Sequence, residues 1–131
     1  MDASERGRLQ IMLFERSHAR LKEVLALDET DIVRDALIQR FEFCFEMAWK
    51  VMFRLLLDMK VDVPEQVMPV LQEAFKAKLH SDADGWSETR DCRNRTSHTY
   101  DEQIAIEVAA FVRARAVALF DDLAARLKSL A

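Results

Sequence analysis

The sequence predicts an all-α protein, an antiparallel up-and-down helical bundle of four main helices plus one short helix. Three observations lead there. Only four of the 131 residues are glycine or proline, namely Gly7, Pro64, Pro69 and Gly85, against roughly 16 at average usage. An all-β chain needs a turn every ~8–12 residues, with Gly, Asn or Pro to make it, and that supply is missing. Apolar residues instead recur three and four positions apart over long stretches, the spacing of one helix face. No linker, repeat or low-complexity segment interrupts them. We therefore expect one domain, residues 1–131, long enough to bury about two thirds of its unfolded surface.

Residues 4–26 carry Leu9, Met12, Leu13, Leu21, Val24 and Leu25 among Arg and Glu, an amphipathic helix. Asp28-Glu29-Thr30-Asp31 reads as a break with an N-cap for the next element. That element, residues 31–59, has the strongest pattern. Val33, Leu37, Phe41, Cys44, Ala48, Val51, Leu55 and Met59 form one face, widened by Phe43, Phe45, Trp49, Met52, Phe53 and Leu56. It would span roughly 43 Å. A perimeter so apolar needs cover on several sides, so it is the central helix of the bundle or part of a subunit interface. Glu42, Glu46, Lys50, Arg54 and Asp58 leave a polar line at four-residue spacing. It reads as a solvated face with i,i+4 pairs, or as a place where Glu42 or Glu46 lines a functional groove.

Pro64 and Pro69 bracket a turn, and a short third helix is expected from about Pro69 to Leu79. Ser81, with Asp84 three residues on, is the expected N-cap of a fourth helix ending at Arg95 or Thr96. Thr99-Tyr100-Asp101-Glu102 has the T-x-x-E form of a capping box, which would open a last helix to about Leu130. Trp49 and Trp86 read as core, and His18 and His80 as surface or packing residues.

Composition excludes several functions. Neither a G-x-G-x-x-G loop nor a P-loop can be written with Gly7 and Gly85, so side chains or helix ends must hold any phosphate. A net charge of −4 leaves no global nucleic-acid footprint, though a local one is allowed. Cys44 and Cys92 are the only cysteines, without CxxC or zinc spacing, and read as free thiols of a reducing compartment. No apolar signal core or run of ~18 apolar residues is found. The expectation is a cytoplasmic protein with no membrane span, no metal and no cofactor.

The junction between the last two helices stands apart. It reads Arg90-Asp91-Cys92-Arg93-Asn94-Arg95-Thr96-Ser97-His98-Thr99-Tyr100 and carries three Arg, one Asp, one His and the only Tyr. On a continuous helix, Arg93 and His98 would point about 140° apart. They converge only if the helix ends between them, as the Thr99 capping box suggests. Tyr100 would then fall on the first turn of the next helix, where free N–H groups favour an anion.

The set suits metal-free phosphate chemistry. Arg93 offers a planar, permanent charge to phosphate, Asn94 can orient it, and Arg95 and Thr99 can add contacts. His98 supplies an imidazole, a side chain that can move a proton. On RNA, a 2′-hydroxyl can attack its own 3′-phosphate with His98 as general base or acid, and Arg93 can stabilise the charge that builds on phosphorus. The R-x-x-x-x-H spacing also recurs by chance. The same residues can serve structure alone, with arginines on helix carbonyls and His98 filling a turn.

Arg93-Asn94-x-x-x-His98-x-Tyr100 resembles the motif of the HEPN superfamily (higher eukaryotes and prokaryotes nucleotide-binding), in the R-x-x-x-x-H-x-Y form of HepT-like toxins. The stretches Gln39–Lys50 and Thr96–Glu102, with Glu73-Ala74-Phe75-Lys76-Ala77 between, resemble one branch, the nucleotidyltransferase substrate-binding protein family. The likeness runs in order from about residue 9 to 125. It implies a helical bundle that forms a homodimer with two motif copies near the interface, and a minimal nucleotidyltransferase as partner. In HepT-like systems the helical protein is a metal-independent ribonuclease toxin, silenced when the partner transfers AMP to the motif tyrosine.

Carried over by position, Arg93 and His98 become catalytic, Asn94 supports them and Tyr100 is the modified residue. An AMP phosphate there would compete with RNA for Arg93. The branch commonly has an acidic residue just before the Arg-Asn pair, where this chain has Cys92. The alternative is a non-catalytic subunit that binds nucleotide or presents substrate to the transferase. A third reading is a helical interaction module with a vestigial motif.

Overall fold

The computed structural model describes residues 2–130. Its elements are α1 (Ala3–Leu25), α2 (Asp31–Asp58), α3 (Val67–Lys76), α4 (Ala83–Arg95), a 3₁₀ turn (Thr96–His98), α5 (Glu102–Phe111), a π turn (Val112–Ala116) and α6 (Val117–Leu130). The last three run on as one rod. No strand occurs among the described residues, and none of their helices is long and apolar enough to cross a membrane.

The expectation of a central second helix holds. α2 packs against α1, α3, α4, α5 and α6 and buries Leu37, Phe41, Cys44, Phe45, Ala48, Val51, Met52 and Leu56, among others. Phe120 on α6 is the hub of the aromatic core, with ring centroids 6.5 Å from Phe14, 6.2 Å from Phe41 and 5.7 Å from Trp86. Trp86 is completely buried and Trp49 nearly so, as their reading as core required. Cys44 and Cys92 are free and buried. Burial pushes both thiols up, Cys92 to about 11, so both stay protonated and unreactive at neutral pH.

Scarce glycine shows in how helices end. α2 and α3 both close with 6→1 and 5→2 hydrogen bonds. Val61 N donates to Leu56 O and Lys60 N to Leu57 O; Leu79 N donates to Ala74 O and Lys78 N to Phe75 O. The residue that makes such a closure possible sits in the left-handed region, usually as glycine. Here Lys60 (φ 65°) and Lys78 (φ 63°) fill the role, each with a steric cost that glycine lacks. Lys60→Gly and Lys78→Gly are each expected to stabilise the fold by about 0.5–1 kcal/mol, the steric cost of the left-handed region less glycine's extra unfolded-chain entropy, read as a higher urea midpoint at unchanged slope.

Three expected boundaries are corrected. α3 starts at Val67, not Pro69. Pro69 lies inside the first turn, where N–H groups lack intrahelical partners and a missing donor costs little. The N-cap of α4 is Asp82, whose carboxylate accepts from Gly85 N at 2.8 Å. Ser81, expected there, instead receives Arg126 at 3.0 Å. A Cβ on Gly85 would come within 2.6 Å of the Asp82 carboxylate, so the cap itself calls for glycine.

The Thr99 capping box does not form. Thr96, Ser97 and Thr99 donate their hydroxyls back to the carbonyls of Arg93, Asn94 and Thr96, so they satisfy the end of α4 rather than the start of α5. The chain continues as a 3₁₀ turn, and Asp101 caps α5 through Gln103 N and Ile104 N. The π turn then aims two arginines apart: Arg113 to Glu29 and the Leu25 carbonyl, Arg115 to Asp82 and Glu88. Burial raises the Glu29 carboxyl, but hydrogen bonds from Arg113 and Arg34 outweigh it and hold the group below its usual value.

His80 is a fully buried packing residue. Its Nε2 lies 2.9 Å from Leu71 O, and its Nδ1 accepts from Asp82 N at 3.3 Å. These partners fix the neutral ring with the proton on Nε2. Burial lowers its pKa from the ordinary value of 6.5. The unfolded chain therefore binds the proton more readily, and stability falls as pH drops from about 6.5 toward the lower folded value. Urea midpoints measured from pH 7.5 to 5 should show this decline, and His80→Gln should flatten it.

Candidate functional site

The site is built on the last turns of α4 and the turn that follows, against the outer face of α2. Arg93 projects from α4 with Nη1 2.9 Å from Thr96 Oγ1 and 3.5 Å from a carboxylate oxygen of Glu42 on α2. Thr96 is buried and also donates to Arg93 O at 2.7 Å. One hydroxyl thus closes the helix and fixes the guanidinium. Cys92, at the position where an acid is common in the resembling branch, faces the core as a buried thiol. The carboxylate that pairs with Arg93 comes from Glu42, fifty-one positions earlier in the chain.

Arg93 forms the wall between two clefts. One, about 330 Å³, is lined by Gln39, Glu42, Phe43 and Glu46. The other, about 440 Å³, lies where α2, α3 and α4 meet and includes Glu46, Pro69, Arg90 and Asn94. Glu46 accepts from Trp49 Nε1 at 3.1 Å and pairs with Lys50 at 3.4 Å, as the i,i+4 reading anticipated. Arg54 and Asp58, four residues apart on the same polar line, form no ion pair among the described residues. Glu42 and Glu46 both line a cleft with Arg93.

His98 ends the 3₁₀ turn and is exposed. Its Nδ1 lies 3.3 Å from the hydroxyl of Tyr100, and the rings meet edge to face with centroids 5.9 Å apart. Tyr100 is 85% exposed. It sits in the turn before the N-cap Asp101, not on the first helical turn as expected. The junction brings His98 to Tyr100 and Arg93 to Thr96. No hydrogen bond joins Arg93 to His98 among the described residues.

The expected anion cradle at the start of α5 is corrected as well. Asp101 already takes the amides of Gln103 and Ile104, and Glu102 adds charge to the same turn. An incoming phosphate would meet carboxylates there, so cationic side chains must do the holding. Asn94 is exposed on the second cleft. Arg95 turns away to an ion pair with Glu107 on α5, and Thr99 Oγ1 donates to Thr96 O at 3.1 Å. Thr96, on sequence one of the residues that turn the chain, is also the one that holds Arg93 in place.

Residues 9–129 match the family described as nucleotidyltransferase substrate binding protein like. The chain belongs to this family. The match takes in α2 and the whole junction, and so agrees with the HEPN and HepT-like resemblance of the motif. A curated relative, the probable ribonuclease HepT of Haemophilus influenzae, is 37% identical over 90 residues, covering 63% of this chain and 62% of that protein. The match thus spans a little under two thirds of the relative.

Two solved structures share the helical fold of this nucleotidyltransferase substrate binding protein like chain. A Thermus thermophilus protein superposes with a TM-score of 0.80 at 30% identity, over 88% of this chain and 98% of that one. A Haemophilus influenzae protein, described as having the fold of a substrate binding domain of a nucleotidyltransferase, gives a TM-score of 0.80 at 25% identity, over 90% and 98%.

Proposed function

We propose that this protein is a metal-independent ribonuclease toxin whose activity is silenced when a minimal nucleotidyltransferase transfers AMP to Tyr100. The observation that carries the reading is the exposed Tyr100 hydroxyl lying 3.3 Å from His98 Nδ1. A proton-accepting imidazole beside an accessible phenol suits both halves of the proposal. In RNA cleavage the 2′-oxygen bonds to phosphorus, the P–O5′ bond breaks, and a 2′,3′-cyclic phosphate and a 5′-hydroxyl result. His98 takes the 2′-hydroxyl proton or gives one to O5′. Arg93 stabilises the negative charge on the phosphorane, aided by Asn94. A homodimer, with residues 1–131 of each chain as one domain, supplies a second imidazole.

In the silencing step, Tyr100 Oη bonds to the α-phosphorus of ATP, pyrophosphate leaves, and the phenolic proton passes to a base such as His98. The product carries a phosphodiester on the oxygen that contacts the imidazole. That anion blocks His98 and draws Arg93 away from RNA phosphate. The likeness to the probable ribonuclease HepT supports this reading.

A second reading, a non-catalytic subunit that binds nucleotide or presents substrate to the transferase, draws on the clefts flanking Arg93 and on the Glu42 pairing that occupies its guanidinium. The test is incubation of the purified protein with RNA in the presence of chelator, before and after treatment with the transferase and ATP. Cleavage that disappears on treatment supports the toxin. Intact RNA with undiminished co-purification of a transferase supports the subunit.

A further inference from the structure

We propose that the groove between α1 and α2 is a track for single-stranded RNA leading to Arg93, with Phe43 as a base-stacking platform and Arg16 and Arg20 as phosphate contacts. The inference rests on the ribonuclease reading for its direction, but on separate residues for its chemistry. The groove encloses about 450 Å³ and has Leu13 and Met47 as apolar lining. Arg16 and Arg20 line it from successive turns of α1, about 6 Å apart along the axis, a separation comparable to the phosphate step of a single strand.

Both arginines are exposed and make no ion pair among the described residues. Arg40 is different: it donates to the Arg20 carbonyl at 2.8 Å and faces Glu23 at 3.9 Å, so it shapes the wall. In a chain of net charge −4, two unneutralised guanidinium groups over an apolar floor select a ligand that is planar as well as anionic.

Phe43 joins this groove to the site. Its ring is 60% exposed, and it lines both the arginine groove and the cleft that Arg93 walls. An exposed aromatic ring beside unpaired guanidinium groups is how single-stranded nucleic acid is gripped without regard to sequence, by bases on the ring and phosphates on the charges.

The test is anisotropy of a fluorescein-labelled oligouridylate of about twelve nucleotides, measured against salt in a His98→Ala background that leaves the strand whole. Arg16→Ala and Arg20→Ala should each lower the slope of log affinity against log salt by about 0.7. Phe43→Ala should weaken binding about tenfold with the slope unchanged. Unaltered binding in all three variants overturns the track. So does a loss of affinity that merely follows conversion of a dimer to monomers in sedimentation. If otherwise wild-type protein leaves RNA intact but binding follows these slopes, the ribonuclease reading fails and the groove stands. If it cleaves RNA and the groove variants bind and cleave equally well, the groove fails and the ribonuclease stands.

Discussion

His98→Ala is expected to lower RNA cleavage by a factor of about 10²–10⁴, the usual worth of a positioned acid or base, and to abolish growth arrest on expression. The side chain is exposed, and among the described residues its hydrogen-bonding partner is Tyr100. Its removal should therefore change stability by no more than about 0.5 kcal/mol, which separates a catalytic loss from an unfolded protein. Arg93→Ala should give a loss of similar size by another route, because it removes the charge facing the phosphorane. Arg93→Lys should recover little of it, since a single ammonium cannot reproduce the planar donor pair. Cleavage by His98→Ala at the wild-type rate would sink the ribonuclease reading. Rates are best followed on a defined oligonucleotide, with a 2′-deoxy substrate as the control that must remain whole.

Tyr100→Phe is expected to eliminate adenylyl transfer altogether. The phenyl ring keeps its edge against His98 while the nucleophilic oxygen is gone. Intact-protein mass spectrometry after incubation with the transferase and ATP should show the AMP adduct on wild type and none on the variant. The variant should also remain active on RNA when the transferase is present, and its expression should arrest growth that the partner no longer rescues. Persistence of the adduct in Tyr100→Phe would move the modification elsewhere, and other exposed hydroxyls such as Ser97 would then be examined by peptide mapping. Cleavage by Tyr100→Phe without partner should stay within a few-fold of wild type.

The helices themselves were legible because periodicity is a property of neighbouring residues. The Leu37–Phe41–Cys44–Ala48 face of α2 had to be buried on several sides, and it is. The caps were harder to read. Thr99-x-x-Glu102 has the letters of a capping box, yet the Thr99 hydroxyl is a donor to Thr96 O rather than an acceptor for α5. Sequence shows that a hydroxyl is present but not which way its proton points, and the Ser/Thr run after Arg95 could serve either helix. Asp101 and Asp82, which carry fixed negative charge and can only accept, took the two N-caps in place of Thr99 and Ser81.

By itself the sequence determined the class of fold, and its Arg93–Tyr100 motif named the candidate site residues. The fold class follows from local matters: which residue types recur at helical spacing, and how few glycines and prolines there are to interrupt them. The tertiary structure alone decided how those residues are engaged. It set Glu42 of α2 against Arg93 of α4, turned Cys92 inward, sent Arg95 to Glu107 and closed the amides of α5 with Asp101. It also made Phe43 the link between two clefts. The Glu42–Arg93 pairing joins helices that are distant in the chain, and a charge or hydrogen bond takes its partner by distance in space. Helical spacing says which face a residue occupies. Which neighbour meets that face is fixed only when the helices pack.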